Sequence, residues 1–207
     1  MIMVCFVYKW KGGNYPVLNR EGPIMKFAAV IVLLAILSVF AQPWQEITVD
    51  GFTLRWSTVP GDSLAVELNG PTTGWISVGF DPSQMMLDAN IIIGYVASST
   101  PELRDDFGWQ TTSHRDDTLL GGTSDLTVDG GFESSGSTEI HFTIPLDSGD
   151  SYDTALDPGN SYPVILARSA DGEDNFTAPH ALVAVTSINI EQVSLDQSSW
   201  ALVKSSF

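Results

Sequence analysis

The chain has 207 residues, 43% of them hydrophobic and 16% charged, with 25 acidic side chains against 9 basic ones and a net charge of −16. That length builds one domain with a real core and is short for two. The charge excludes nucleic acid and anionic membrane surfaces as partners; it suits a cationic protein, a cation such as calcium, or solubility alone.

Residues 1–24 show no pattern of a fold and read as a non-structural N-terminal extension carrying the single cysteine, Cys5. Met25-Lys26 then opens a dense apolar run that ends at Ala41. The positive flank, the short apolar stretch and the small residues of Val39-Phe40-Ala41 predict a signal peptide over residues 25–41, and hence a secreted or extracytoplasmic protein. A retained membrane anchor is the alternative, which would place the domain at the cell surface; the run is short of the roughly 20 residues that a span needs. Cleavage after Ala41 removes four basic residues, one acidic residue and Cys5, leaving five basic and 24 acidic residues, net −19. No disulfide can support what remains, so stability must come from the core or from a bound ligand.

From Trp44 onward, short alternating runs are separated by Gly, Pro, Asp, Asn and Ser. Residues 47–56 predict two strands around a turn at Asp50-Gly51, and strands follow over 63–68, 74–80 and 90–96, the last of them continuously apolar. A shorter strand is expected over 102–107. Residues 126–128, 138–144 and 162–168 continue the pattern, and 180–185 and 187–190 close it. Turn signals recur about every 8–12 residues without a helical period, which indicates an all-β, two-sheet antiparallel sandwich over residues 42–193. Residues 194–207 read as a tail, in which Trp200–Val203 could pair as a last strand.

Catalytic signatures are absent: there is no Gly-x-Ser-x-Gly elbow, no His-Glu-x-x-His and no phosphate-binding glycine loop. The acidic residues lie in turns, where solvation explains them. Two segments offer other chemistry. The connection after Phe80 carries Met85-Met86; a methionine there can fill a core gap or serve as a soft, neutral axial ligand to haem iron. The polar stretch Asp171–Pro179 ends at His180, where an apolar strand starts and where an imidazole can be held as a ligand. His141 alternates onto the face of Glu139 and Thr143, expected to be solvent, and His114 lies in an Asp-rich loop.

The order and spacing of several motifs resemble the DOMON domain family. Gly74-Trp75-Ile-Ser-Val-Gly79-Phe80 is followed by Met86-Leu-Asp-Ala89-Asn90-Ile-Ile-Ile-Gly94, then by Arg104-Asp105, Ile144-Pro145-Leu146, Asp150, Asp153, Val164–Ala167 and His180. The sequence departs from the family pattern at Asp88, where a glycine is usual, at Asn90, where an aspartate is usual, and at Ile144, where many members carry arginine. The resemblance implies an immunoglobulin-like β-sandwich of about ten or eleven strands. It further implies a haem b site with Met86 and His180 as axial ligands, Met85 being the one-residue alternative. Electron transfer rather than catalysis would follow, because two protein ligands leave no open iron position. An apolar slot between strands would hold the macrocycle, with Phe80 and Tyr95 as cofactor contacts and Trp75 and Ile91–Ile93 as further candidates for the slot or for the core. A cationic redox partner would suit the acidic surface. Some relatives are thought to bind sugars instead, and a carbohydrate or small-ligand module would show an aromatic platform at Trp109 or Trp75. A purely structural module would show no concave pocket. Asn175-Phe176-Thr177 is a glycosylation sequon if the source is eukaryotic, and a glycan there would crowd a haem edge at His180.

Overall fold

Alternating apolar and polar residues give a strand one dry and one wet face, the pattern of most of the eleven strands among residues 43–192, which the computed structural model describes. β1 (Gln45–Val49) and β2 (Phe52–Val59) form a hairpin across Asp50-Gly51. Their φ values of 48° and 86° are the paired left-handed conformation that a two-residue turn needs to match strand twist. β3 (Ser63–Gly70), β4 (Ile76–Phe80), β5 (Asn90–Ala97), β6 (Thr100–Gln110) and β7 (Ser113–Asp116) follow, and a single 3-10 turn spans Asp117–Leu119. β8 (Thr127–Ser134), β9 (Ser137–Pro145), β10 (Ser161–Arg168) and β11 (Leu182–Asn189) complete the order.

The strands form two antiparallel sheets, β1-β2-β3-β9-β8 and β11-β10-β4-β5-β6-β7, stacked as a β-sandwich. The core lies between them. β2 turns Phe52, Leu54 and Trp56 inward, and β4 answers with Ile76, Val78 and Phe80. Burying each such side chain stabilises the fold by roughly 1.5–3 kcal/mol.

Several elements differ from the sequence expectation. The short strand expected over 102–107 is the longest of all, at 11 residues, because its polar outer half pairs with β7, a strand with no apolar alternation to reveal it. The strand expected over 126–128 continues to Ser134 past a register shift between Val128 and Gly130. The two closing strands are one, β11, paired without interruption along β10. The expected extension over 1–24, the signal peptide over 25–41 and the tail over 194–207 lie outside the described residues. Among the described residues, no helix is long and apolar enough to cross a membrane.

Candidate functional site

Residues that β4 does not turn into the core stand on the outer face of the six-stranded sheet. There Gly79 pairs with Ile165 of β10 and Ile91 of β5, and Ser77 pairs with Ala167. Val183 and Val185 extend the same face along β11. A wet face that is this apolar needs a cover, and three connections supply one. Residues 81–89 bring Met85 and Met86, the β6–β7 turn brings Thr111 and Thr112 with His114 of β7 beside it, and residues 169–181 bring Phe176 to His180. Floor and cover enclose a mainly apolar cavity of about 510 Å³, within the usual range for small-molecule sites.

Each connection is held by backbone contacts. The Asp88 amide donates to the Gly108 carbonyl at 2.7 Å, the Gly108 amide to Ala89 at 2.9 Å, and the Met86 amide to Thr111 at 3.3 Å. Gly108 permits this approach, since a Cβ there would stand 1.6 Å from the Met86 carbonyl oxygen. Asp88 has φ 65°, a left-handed conformation in which glycine is favoured. Across the cavity, the Trp75 indole donates to the Ala178 carbonyl at 3.1 Å and the Trp75 amide to Glu173 at 3.2 Å. Asn175 Oδ1 accepts from the Thr177 and Ala178 amides, so the sequon side chain is engaged in shaping the loop.

Behind the cavity wall sits a charged group. Buried Asp106 accepts from His114 Nδ1 and from the Arg104 guanidinium, which also lies 4.5 Å from the centre of the Phe176 ring. Burial alone would raise the Asp106 carboxyl, but the hydrogen bonds from His114 and Arg104 outweigh it and hold the group below the ordinary range.

Met86, Met85 and His180 therefore line one cavity, with Met85 largely exposed at 61%. Trp75 also lines it. Tyr95 stands one layer back, its ring 4.9 Å from that of Phe176. β4 alternation turns Phe80, expected as a cofactor contact, into the core, where it is 1% exposed and outside the cavity lining. The cavity lies on the outer face of the six-stranded sheet, floored by β4, β5, β10 and β11. Of the three isoleucines, Ile91 lines the floor and Ile92 belongs to the core. His141 is on the other sheet beside Glu139, at 2.7 Å. Sequence reasoning missed Thr111, Thr112, Ile165, Ala167, Val183 and Val185. One signal was readable: Leu182-Val-Ala-Val185 is apolar at both parities, so its outward valines, 44% and 67% exposed, present apolar surface beside the cavity.

The donor set suits a haem. A thioether and an imidazole come from separate connections over a floor of small and aliphatic side chains, and both are ligands that haem iron accepts. An aromatic sugar platform is not formed at the cavity, since Trp75 is buried and Trp109, 41% exposed, stacks with the Arg115 guanidinium outside it.

A family model described as the DOMON domain matches residues 49–169, more than half of the chain. The human and mouse proteins called DBH-like monooxygenase protein 1 are 31% and 32% identical over 105 residues. That alignment covers 51% of this chain but only 16% of either relative. Among solved structures, the cytochrome b domain of pyranose dehydrogenase from Coprinopsis cinerea superposes with a TM-score of 0.55 at 17% identity, covering 78% of this chain and 89% of its own. The cytochrome domain of Myriococcum thermophilum cellobiose dehydrogenase gives 0.51 at 12% identity, over 77% and 88%. These two likenesses are of fold.

Proposed function

The chain belongs to the DOMON family, and from that premise we propose that it is an extracytoplasmic haem b-binding electron-transfer domain with Met86 and His180 as axial ligands. The observation that carries the reading is the convergence of Met86 and His180, 94 residues apart in sequence, on one apolar cavity. A bound haem would supply one-electron chemistry, and a thioether ligand would favour its reduced form. The protein's part is to bind and exclude water. Ser77, Gly79, Ile91, Ile165 and Ala167 form the apolar floor, Phe176 and Trp75 close one side, and the Gly108 contact holds Met86 over the rim. An adjoining polar recess is lined by Arg104, Arg115 and Thr112 together with Asp116. The acidic surface would steer a cationic redox partner. Catalysis, if the domain serves an enzyme, would reside in another part of that system.

One observation favours a second imidazole. His114 also lines the cavity, and its Nδ1 is held by buried Asp106, the carboxylate-held arrangement common among metal-ligating histidines. Absorption spectra of the full chain, titrated with haem b and recorded oxidised and reduced, test both assignments. The expected result is a Soret shift typical of two protein ligands. It should be lost or displaced in Met86→Ala and His180→Ala and kept in Met85→Ala and His114→Ala. Displacement in His114→Ala with His180→Ala unchanged would move the ligand to His114. Absence of any Soret shift would overturn haem binding and leave a small-ligand pocket without haem.

A further inference from the structure

Asp105 points to the opposite face of β6 from Asp106, toward the interior where the core ends. Two connections close over it there, residues 117–126 between β7 and β8, which include the 3-10 turn, and residues 146–160 between β9 and β10. One carboxylate oxygen from each of Asp105, Asp117 and Asp153 lies within 4.8 Å of the others, and Asp125, Asp150 and Asp153 form a second such group sharing Asp153. Asp117 is 0% exposed, Asp105 2% and Asn90 5%.

Oxygens in this cluster are left without partners. Both carboxylate oxygens of Asp117, Oδ1 of Asp105 and Oδ1 of Asn90 are buried and accept no hydrogen bond among the described residues. The remaining contacts leave those oxygens unserved. Asn90 donates to Asp153 at 2.9 Å, Ser148 to Asp153 at 2.7 Å, and the Asp125 amide to Asp105 at 3.2 Å. The ion pairs found among the described residues engage Glu46, Glu67, Asp106 and Glu139, and no member of this cluster. Unpaired carboxylates buried together are costly unless a cation or protons neutralise them.

We propose that Asp105, Asp117 and Asp153, with the Asn90 side-chain oxygen, form a binding site for a hard divalent cation of the calcium class. Every donor is oxygen, with no imidazole or thiolate, which selects against zinc and copper. Carboxylates and an amide oxygen from β5, β6 and two connections provide the many-oxygen, irregular shell that calcium accepts and that magnesium, with its strict octahedron, does not favour. Asp125 and Asp150 stand around the shell and add negative charge. A bound ion would tie both connections to the sheet and stabilise a domain without disulfides. The site is separate from the cavity and does not depend on the haem reading.

Isothermal titration of the chelator-treated full chain with calcium chloride, paired with thermal unfolding, tests it. Saturable binding of one calcium per chain and a rise in Tm of several degrees are expected, with a smaller response to magnesium. Asp117→Asn and Asp105→Asn should each weaken calcium binding at least about tenfold, while Glu46→Gln on the other sheet retains it. Because asparagine removes an unpaired buried charge, the chelated variants should unfold no lower than chelated wild type, which separates loss of the ion from loss of the fold. No calcium response up to about 10 mM, above the range of extracellular calcium modules, would overturn the proposal. So would an unchanged response in both variants, or an equal rise with sodium chloride at matched ionic strength.

Discussion

Gly108 shows how one missing side chain positions a candidate ligand. Its amide and carbonyl clamp Ala89 and Asp88, and a Cβ would meet the Met86 carbonyl at 1.6 Å. Gly108→Ala must therefore push the 81–89 connection off β6. We expect a loss of about 1–3 kcal/mol, as for overpacking elsewhere, measured by urea unfolding, together with weaker haem uptake in the same spectral titration. Asp88 makes a related point. The family usually has glycine there, and φ 65° explains why; aspartate tolerates this conformation better than most residues, and its carboxylate also accepts from the Ser83 hydroxyl. Motif residues were legible one by one because each answers a local demand of turn or pleat. The place of Phe80 was not legible in the same way, because it depends on which face of β4 is the core, and both faces of that strand are covered.

Strands and connections divide the work between them. The six-stranded sheet offers a flat apolar floor, and the connections deliver side chains to it. The loop bearing His180 is anchored to the start of β4 by Trp75, through the indole bond to Ala178 and the amide bond to Glu173. Trp75→Phe keeps an aromatic ring but removes the indole donor, leaving the Ala178 carbonyl without that partner. A loss of about 1–2 kcal/mol is expected, with faster amide exchange confined to residues 173–181 and a smaller share of haem bound at a given concentration. Exchange unchanged in that segment would show that Trp75 does not hold the loop. Most strands could be read from alternation alone. β7 could not, since Ser113-His-Arg-Asp116 has no apolar face, and its pairing to β6 carries His114 to the cavity.

The acidic character of the whole molecule has a pH consequence. Asp105 and Asp117 have folded-state values raised to about 7 and about 8, first by burial and then by neighbouring carboxylates. Asp105 feels the charge of Asp153, Asp125 and, through the strand, Asp106, and Asp117 that of Asp105, Asp153, Asp150 and Asp106. A raised value contributes stability below the ordinary carboxylate range, near 4, that is lost as pH rises through the folded value. Asp106, held low, contributes in the opposite sense, and its share is lost only on acidification below the ordinary range. In chelator, Tm should therefore fall between about pH 5 and pH 8, and the slope should flatten in the Asp105→Asn, Asp117→Asn double variant; a Tm that climbs over this interval in wild type would contradict the assignment. At this scale the division between sequence and structure is clear. Alternation, turn residues and motif order by themselves determined an all-β sandwich of the DOMON family, because period and turn chemistry are local properties of the chain. Only tertiary structure decided which face of the six-stranded sheet carries the cavity, that His114 shares it with Met86 and His180, and that aspartates from distant turns converge on one buried cluster. Those facts depend on which face of each sheet is covered and on how connections far apart in sequence meet, and neither is written in any single segment.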